Sequence, residues 1–411
     1  MPLLRVPYTD PLPLPRIIPA SANSTSGAIA ALLEFLAPSL PRSTVPLSSI
    51  SSKLTTSAKG VNQNGKTLLL TGAGISVASG LADYRGKNGT YTLNKTYKPI
   101  YFNEFCENHE ARKRYWARSF LGWTNLERAR PNNAHGACGA LGKMGVVGSV
   151  ITQSAYMATT LKESCIANHT LPDVDSFHPT AHPPLPTIEL HGYLRALVCL
   201  TCHNEYPRRT FQAQLARLNP TWASFLDEML ASGALDTENP DERRKKGLKA
   251  NPDGDVDVPE APYSTFRYPA CPTCLATPPR KAAGGVVRIH TDEDGAWDPK
   301  SEGGVLKPAV IMFGESIPAA TKVAAEEAVD AAGRILVVGS SLATYSAWRL
   351  VKRAKERGMP IGILNMGGAR GEESFFSDAP EGNAGREALR ISENAEQVLP
   401  QIVQMLGDMK R

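Results

Sequence analysis

Two pairs of cysteines have the residue type and the spacing of a metal site. They are Cys199-Leu-Thr-Cys202 and Cys271-Pro-Thr-Cys274. Two such knuckles can place four thiolates tetrahedrally around one Zn²⁺, and an all-cysteine site leaves no open position for catalysis. Redox dithiols or buried thiols are the alternative, but two pairs within one irregular segment favour the metal. The pattern therefore predicts a structural zinc.

A glycine-rich turn, Gly72-Ala73-Gly74, follows an apolar run from Thr67 to Thr71. This combination is typical of the first strand and turn of a nucleotide-binding unit, with a helix expected next. Glycine there lets the backbone approach a pyrophosphate at the amino end of a helix. A bare G-x-G also fits an ordinary tight turn, so the turn alone does not establish a nucleotide site.

Further motifs give that turn a specific context. In chain order they are Gly72-Ala73-Gly74-Ile75-Ser76 with Ser79-Gly80, Asp83-Tyr84-Arg85-Gly86, Pro131-Asn132 with Ala134-His135, Glu189-Leu190-His191-Gly192, Leu306-Lys307-Pro308, Phe313-Gly314-Glu315, Gly339-Ser340-Ser341-Leu342 and Asn365. The series resembles the sirtuin family of NAD-dependent protein deacylases, and the resemblance extends through most of residues 66–403. One mild departure is Ala82, where the family usually has proline.

The resemblance implies that His191 is the catalytic residue, a general base toward the NAD ribose hydroxyls. An imidazole with an ordinary pKa near ~6.5 suits that task. The carbonyl oxygen of an acyl-lysine substrate would displace nicotinamide, and the activated 2′-hydroxyl would then take the acyl group, giving O-acyl-ADP-ribose. Without the surrounding motifs, a single histidine before glycine would be only a polar side chain at a strand end.

The resemblance also implies which residues contact NAD. They are Gly72, Ala73, Gly74, Ser76, Asp83, Tyr84, Arg85, Gln153, Asp175, Gly339, Ser340, Ser341, Asn365 and Ala395. Within this set, the stretch from Gly339 to Ser341 would meet phosphates or ribose at a strand end, Asn365 the adenosine ribose, and Ala395 the adenine side. Ordinary strand-end turn chemistry is the alternative for these positions.

Tyr115 and Arg118 form a Tyr-x-x-Arg pattern, by which some sirtuins read a carboxylate at the end of the acyl chain. A guanidinium pairs bidentately with a carboxylate, and a phenol adds one hydrogen bond. The alternative is a helix-surface aromatic beside a solvated arginine. The first interpretation predicts that dicarboxylic acyl groups are accepted beside or instead of acetyl.

The stretch that lines the nicotinamide pocket in the family is split in this chain. Gln153 and Asp175 match the two ends of the family's Gln-Asn-x-Asp run, and residues 154–172 form an anomalous insert between them. Loop-closure cost grows only slowly with length, so an insert could loop out, but its ends must still meet in the pocket. We hypothesise that residues 154–172 are translated intron or a gene-model error; their codons in the mature transcript would refute this.

Composition indicates a soluble-type globular chain with a sizeable core. Of 411 residues, 42% are hydrophobic and 21% charged, and the net charge is +5. No run approaches the roughly 20 apolar residues of a membrane span, so no membrane association is expected. The basic residues are scattered, so no direct nucleic-acid binding is expected either.

Short apolar runs at residues 146–152, 308–313, 334–339 and 361–365 recur between segments of helical pattern. This rhythm predicts a doubly wound, Rossmann-like parallel α/β domain. We expect a low-order N-terminal extension over 1–60 with a helix near 27–37, the NAD-binding domain over 61–192 and 306–405, and a zinc-ribbon module over 193–305. An inserted loop at about 278–304 contains acidic residues but lacks the full spacing of a calcium loop.

Within the family, the chain is most similar to the mitochondrial, sirtuin-4-like class. The shared stretches are residues 114–118, 218–222, 252–256 and Tyr345-Ser346. The N-terminal 60 residues are basic and rich in Ser, Thr and Pro, which fits a mitochondrial presequence and a disordered extension equally. We expect the mitochondrial matrix, with cytoplasm and nucleus as open alternatives.

The prediction is therefore an NAD-dependent protein deacylase acting on acyl-lysine protein substrates. Two alternatives remain open at this point. One is a protein ADP-ribosyltransferase, an activity attributed to some sirtuins of this class. The other is an NAD-binding scaffold without catalysis, because the insert splits Gln153 from Asp175.

Overall fold

The computed structural model describes residues 11–37, 65–93, 99–154, 185–233, 249–250, 256–258, 260–377 and 385–409. The helices are α1 Thr25–Leu36, α2 Thr90–Leu93, α3 Phe102–Glu107, α4 His109–Arg128, α5 Asn133–Lys143, α6 Arg208–Leu218, α7 Pro220–Ala231, α8 Pro272–Ala276, α9 Ala319–Ala331, α10 Tyr345–Glu356, α11 Glu372–Phe375 and α12 Ala395–Asp408. The strands are β1 Thr67–Thr71, β2 Val147–Thr152, β3 Thr187–Glu189, β4 Gly192–Cys199, β5 Glu205–Pro207, β6 Lys249–Ala250, β7 Val256–Asp257, β8 Leu306–Val310, β9 Arg334–Val338, β10 Ile361–Leu364 and β11 Ala388–Ile391.

The larger unit is a six-stranded sheet with the order β11-β10-β9-β1-β2-β3. All its strand pairs are parallel; Leu69 of β1 lies opposite Leu336 of β9 and Val150 of β2. Both faces are covered, which explains why strands such as Arg334–Val338 are continuously buried. The predicted doubly wound parallel fold is confirmed.

Successive residues of β1 enter two different cores. Leu69 joins one hydrophobic cluster with α1, α5 and α12, while Leu68 and Leu70 join another with α9 and α10. Side chains alternate across a strand, so a run of apolar residues is required where helices pack on both faces. The two layers of helices therefore cover both faces of the sheet, and the carboxyl ends of its strands lie at one edge.

Helix α1 is part of the core, which corrects the expected low-order extension for residues 11–37. Ser24 caps the helix by accepting a hydrogen bond from the Gly27 amide. Leu32 and Phe35 are fully buried against the cluster that contains α12. The composition of the N-terminal residues did not reveal the short apolar face of α1. This face packs against α12, some 370 residues later in the chain. Residues 1–10 and 38–60 lie outside the described residues.

The smaller unit contains an antiparallel sheet with the order β5-β4-β8. The apolar run predicted as a parallel strand at residues 308–313 is instead β8, which lies at Leu306–Val310 and pairs antiparallel with β4. That prediction was wrong because an apolar run does not reveal its pairing partner. The strand joins the smaller unit to the loop at 311–315 that borders the larger one.

Helices α3 and α4 pack with the smaller unit rather than on the parallel sheet. Trp116 is fully buried, and its ring centroid lies 4.6 Å from that of Phe211 on α6. Phe105, Trp116 and the cysteine cluster belong to one hydrophobic core. The smaller unit is therefore assembled from two separate chain segments, although the sequence pattern assigned only 193–305 to it.

The two remaining expectations concern the inserted loop at 278–304 and membrane-spanning helices. Residues 278–304 form hairpin-like turns that are mostly exposed, with isolated bridges between Arg280 and Val286 and between Thr291 and Trp297. The expectation of an exposed loop is wrong for Ala296 and Trp297, which are buried, and Trp297 packs in the core of the smaller unit. None of the helices within the described ranges is both long enough and apolar enough to cross a membrane.

Candidate active site and zinc centre

A cavity of about 1330 Å³ lies at the carboxyl edge of the parallel sheet. Its lining includes residues that directly follow four strands: Gly72 after β1, Gln153 after β2, Gly339 after β9 and Asn365 after β10. The chain leaves β1 for β2 on one side and returns as β9 on the other, so β1 and β9 flank the switch point of the sheet. Ligands of open α/β sheets bind at this position.

Glycines at the switch point let two turns lie against each other. A Cβ on Gly72 would lie 2.6 Å from the carbonyl oxygen of Gly339, and one on Gly74 would lie 2.8 Å from the same atom. Gly339 itself has φ of +60°, a left-handed conformation that glycine adopts at little cost. The close approach of the two turns at the floor of the cavity depends on these three glycines. A dinucleotide pyrophosphate fits such a cradle because no side chain keeps its phosphates away from the backbone.

Gln153 cross-links the turns that surround the cavity. Its side-chain amide donates to Ser340 Oγ at 2.8 Å and to the Thr71 carbonyl oxygen at 3.2 Å. Its side-chain oxygen accepts from Thr344 Oγ1 at 3.1 Å. These contacts fix the orientation of the amide and connect the ends of β1, β2 and β9. Gln153 is thus placed in the cavity as the sequence predicts, with its neighbours already ordered.

His191 lies on the tight turn between β3 and β4 and lines the cavity. Its Nε2 is 2.8 Å from Ser346 Oγ, and its backbone carbonyl accepts a hydrogen bond from the Ile311 amide. Burial lowers the pKa of His191 to about 4, while a backbone hydrogen bond with Gln153 acts weakly in the other direction. The imidazole is therefore neutral at pH 7, with a lone pair available to a proton, but it is a weaker base than the imidazole of ordinary pKa that the sequence predicts.

The loop after the glycine turn contributes Asp83, Tyr84 and Arg85 to the cavity lining. Asp83 accepts a hydrogen bond from the Gly86 amide at 2.9 Å, and Tyr84 stacks on Tyr91 at 5.7 Å. Burial raises the pKa of Asp83 and lowers the pKa of Arg85, with the nearby opposite charge opposing both shifts. The loop is held by its own contacts and presents a partly desolvated charge pair to the cavity.

Two predicted NAD contacts lie outside the cavity lining. Ser76 is buried, and its Oγ lies 3.3 Å from Nε2 of His135 on α5. Ala395 is the first residue of α12 and packs against the core. Ala73, Ser340, Ser341 and Asn365 do line the cavity. A position in a motif does not tell which way a side chain faces. Here the Ser76 side chain points away from the cavity and stabilises the glycine turn through its contact with His135.

His135 and Asn132 form a clamp on that turn. Asn132 caps α5 in a reciprocal capping box with His135 and donates from Nδ2 to the Ile75 carbonyl oxygen at 2.8 Å. Burial lowers the pKa of His135 to about 4, so it is neutral and bridges by hydrogen bonds alone. The Pro-Asn and Ala-His motif thus positions the glycine turn rather than reaching the cavity.

Tyr115 and Arg118 both face the cavity from α4. Arg118 is only 5% exposed, and its Nε lies 4.0 Å from Oδ1 of Asp257. Tyr115 packs edge-on against Phe105 and Trp116. The alternative of a solvated arginine on a helix surface is therefore excluded for Arg118. Both side chains border the part of the cavity that is lined by Ile100 and Met312.

The four predicted zinc ligands converge in the smaller unit. Their sulfur atoms all lie within 4.8 Å of one another, with 3.6 Å between Cys199 and Cys274 and 3.7 Å between Cys202 and Cys271. Four sulfurs at the Zn–S distance of about 2.3 Å in a tetrahedron are separated by about 3.8 Å, so the cluster fits one zinc ion. All four ligands are thiolates, which marks the site as structural.

Comparison with known proteins decides the family. The Sir2 family model matches residues 72–346. The NAD-dependent protein deacylase SIR4 of Batrachochytrium dendrobatidis is 36% identical over 321 residues, which cover 76% of this chain and 85% of that protein. The NAD-dependent protein deacylase SRT2 of Arabidopsis thaliana is 34% identical over 312 residues, covering 76% and 68% respectively. The chain belongs to the Sir2 family.

Among solved structures, a Sir2 enzyme ("Structural Basis for the Mechanism and Regulation of Sir2 Enzymes") covers 93% of this sirtuin and 98% of its own chain. It is 22% identical to this chain, with a TM-score of 0.48. The predicted cofactors are confirmed at the level of the family and the geometry. NAD is the co-substrate, and the cysteine cluster holds one structural zinc.

Sequence reasoning missed several residues that shape this sirtuin's cavity. Ser346 contacts the base, and Thr344 contacts Gln153. Lys307 is buried, and its Nζ donates to Glu315 Oε2 at 3.0 Å and to the Val310 carbonyl oxygen at 2.6 Å, which holds the loop that borders the cavity. The motifs containing Lys307 and Glu315 were visible in the sequence, but the buried ion pair between them was not.

Asp175, the second end of the split family run, lies outside the described residues, as does most of the 154–172 insert. The last described residue before that gap, Ser154, lines the cavity. The hypothesis that the insert is a gene-model error stays a prediction.

Proposed function

We propose that this sirtuin removes acyl groups from lysine side chains of proteins, with NAD as co-substrate. One observation supports this most directly: the neutral imidazole of His191 lines the same cavity as the glycine turn at Gly72–Gly74. A base and a pyrophosphate cradle in one cavity fit a reaction at the ribose between them. The two relatives described above carry the name of protein deacylases.

Some residues of the cavity bind NAD, and another accepts a proton. The glycine turns at Gly72 and Gly339 let phosphates approach the backbone, and the hydrogen bonds of the Gln153 side chain hold those turns together. His191 accepts a ribose hydroxyl proton, a step that general-base catalysis accelerates by typically about 10²–10⁴-fold. When bound, NAD supplies the ribose that receives the acyl group after nicotinamide has left.

The acyl pocket is formed by Tyr115 and Arg118, and the enzyme accepts dicarboxylic acyl groups such as glutaryl. Support comes from the burial of Arg118, since a guanidinium in a desolvated site gains more from a carboxylate than one in water. Arg118 Nε lies 4.0 Å from Asp257 Oδ1. At this distance the guanidinium can also bind the carboxylate of a substrate acyl group in the cavity. Acetyl groups fill the same pocket without that ion pair.

Membership of the mitochondrial, sirtuin-4-like class is part of the proposal, and with it localisation in the matrix. The supporting stretches are those at residues 114–118 and 218–222. Because Ile18 pairs with Arg390 and Leu12 lines the cavity, a presequence that is removed has to end before Leu12. Imaging of a tagged full-length protein together with N-terminal sequencing of the mature form tests both points.

The experiment measures nicotinamide release from NAD by purified protein, with no peptide, with acetyl-lysine peptide and with glutaryl-lysine peptide. We expect acyl-dependent release that continues over many turnovers in the wild type and that does not continue past the first turnover in His191→Ala. Release that does not depend on an acyl group would favour the ADP-ribosyltransferase alternative. NAD binding without any release would favour the scaffold, and recovery of activity on deletion of residues 154–172 would trace the defect to the insert.

Arg118→Met tests the acyl pocket. It removes a charge-assisted contact worth about 1.5–3 kcal/mol, so the ratio of kcat/KM for glutaryl over acetyl peptide should fall by roughly tenfold or more. Arg114→Met makes the same change four residues earlier on α4, where the side chain is bonded to Glu104 outside the cavity, and should leave the ratio unchanged. An equal ratio in both variants contradicts the dicarboxylate assignment.

A further inference from the structure

The N-terminal segment from residue 11 to residue 19, here named the strap, reaches the cavity. It runs Pro11-Leu-Pro-Leu-Pro-Arg-Ile-Ile-Pro19. At one end Ile18 forms a two-way backbone bridge with Arg390 next to the edge of the parallel sheet, at 3.1 and 2.8 Å. At the other end Leu12 lines the cavity beside Met366, Gly367 and Gly368. None of the family motifs extends this far toward the N-terminus.

Gly368 makes backbone contact with the strap. A Cβ at this position would lie 1.9 Å from the carbonyl oxygen of Pro13 and 3.1 Å from Cβ of Leu12. The preceding glycine, Gly367, has open space in the same direction. The close contact is therefore specific to the place where the strap crosses, and any side chain at position 368 would have to move it.

A buried ion pair connects the strap to the loop that follows β10. Arg390 and Glu372 are 0% and 3% exposed, and their side chains are joined at 2.7 Å. The carboxylate of Glu372 also accepts from the backbone amide of Arg16 in the strap at 3.2 Å. The guanidinium of Arg390 donates to the carbonyl oxygens of Asn365 at 2.9 Å and Gly367 at 2.6 Å.

The hydrogen bonds around Arg390 and Glu372 offset the cost of burying their charges. Desolvation of two charges costs several kcal/mol per ion unless further hydrogen bonds satisfy them. Here those further bonds go to the backbone of the strap and of the loop at 365–369. The pair thus fixes two chain segments relative to each other on one side of the cavity.

We propose that the strap is part of the NAD site and that Leu12 forms the outer wall at the adenosine end. The inference rests on the proposed function, since it requires NAD in this cavity with its adenosine near Asn365. A leucine side chain suits the flat apolar face of a nucleobase. Proline at positions 11, 13 and 15 restricts the backbone before NAD arrives, so less conformational entropy is lost on binding. Arg390 and Glu372 are positioning residues that act through the strap.

The strap contains its own matched control. Leu12 borders the cavity, whereas Leu14, two residues later, is 92% exposed and outside it. In the full-length protein, Leu12→Ser is expected to raise the Kd and the KM for NAD by roughly fivefold to tenfold, with kcat and the KM for acyl peptide nearly unchanged. Leu14→Ser should leave all four values as in the wild type.

Gly368→Ala provides a second, independent disturbance, because its Cβ displaces the strap. It should raise the KM for NAD as Leu12→Ser does, and the double variant should be no weaker than the more affected single variant, since both changes remove one contact. A KM for NAD in Gly368→Ala that equals the wild-type value would overturn the inference, because the strap has to move to admit the Cβ.

The outcomes also separate this inference from the proposed function. Isothermal titration gives the Kd for NAD, and nicotinamide release gives the kinetic constants. An active wild type with equal NAD constants in Leu12→Ser and Leu14→Ser would overturn the role of the strap and leave the deacylase intact. A wild type that neither binds NAD nor releases nicotinamide would overturn both.

Discussion

The strand-end cavity and the cysteine cluster are two sites built in opposite ways. The cavity gathers residues from Leu12 to Arg370, and its floor is backbone held by sheet and helix packing. The cluster consists of two local pairs joined by metal–ligand bonds within one antiparallel unit. A site made of many weak contacts keeps most of its shape when one is removed, while a site made of four strong bonds fails as a whole.

The cluster should give the largest effect of any single substitution. Cys271→Ser removes one of four thiolates, and structural zinc in small domains contributes apparent binding free energies of about 10–16 kcal/mol to folding. We expect zinc content to fall from one ion per chain toward zero, with a marked drop in thermal stability. Metal analysis and thermal denaturation measure both.

The control for the cluster is Cys106→Ser. Cys106 is partly buried in the same unit but is not one of the four clustered thiols. This variant should keep its zinc and most of its stability. Full zinc content in Cys271→Ser would show that the cluster does not fail as a whole and would remove the contrast between the two sites.

Within the cavity, His191→Ala should have the largest catalytic effect. Loss of the general base is expected to lower kcat by about 10²–10⁴-fold, while NAD binding and the free energy of unfolding change little. We expect a lower kcat with nearly unchanged NAD binding and stability because the shape of the cavity does not depend on one side chain. Single-turnover formation of the deacylated lysine product and NAD titration test it; an equally large loss of NAD affinity would count against it.

Gly72→Ala should have an intermediate effect on the cavity. Its Cβ would meet the Gly339 carbonyl oxygen at 2.6 Å, so the turns must separate, at a cost of about 1–3 kcal/mol. NAD affinity should fall with stability. Gly136→Ala on α5 is the matched control, because a Cβ there meets open space and alanine favours a helix interior by roughly 0.5–1 kcal/mol. Urea denaturation distinguishes the two; stabilisation by both changes would contradict the close approach.

Acid should weaken the fold through histidines that burial keeps neutral. The pKa values of His109, His135 and His191 are lowered to about 4. In the unfolded chain each regains a pKa near ~6.5, so stability is intact above that pH and falls as pH drops from about 6.5 to about 4.

His135→Gln should make the decline of unfolding free energy shallower by up to about 1.4 kcal/mol per pH unit, since one proton fewer is taken up on unfolding. Urea denaturation at several pH values between 7 and 4.5 measures the slope. An identical slope in the variant would show that His135 does not contribute. This effect is the smallest of those predicted. It bears on the comparison of the two sites because His135 supports the glycine turn of the cavity and has no part in the cysteine cluster.

Much of the larger unit could be predicted from the sequence because its signals are local. The apolar runs at Thr67–Thr71, Arg334–Val338 and Ile361–Leu364 have the length and composition of buried parallel strands, and all are found in the sheet. The run at Leu306–Val310 has the same local character but pairs antiparallel in the smaller unit. Pairing depends on contacts with distant segments, which a run of apolar residues does not encode by itself.

The same division holds for the candidate site. By itself the sequence predicted the four zinc ligands from two local cysteine pairs, and it predicted the glycine turn and the base at His191 from their places in a series of family motifs. Only the tertiary structure decided that Ser76 faces His135, that Ser346 contacts His191 and that Leu12 reaches the cavity. Side-chain direction and long-range proximity follow from packing of the whole chain, where many contacts of similar small energy compete, and no local pattern specifies that outcome.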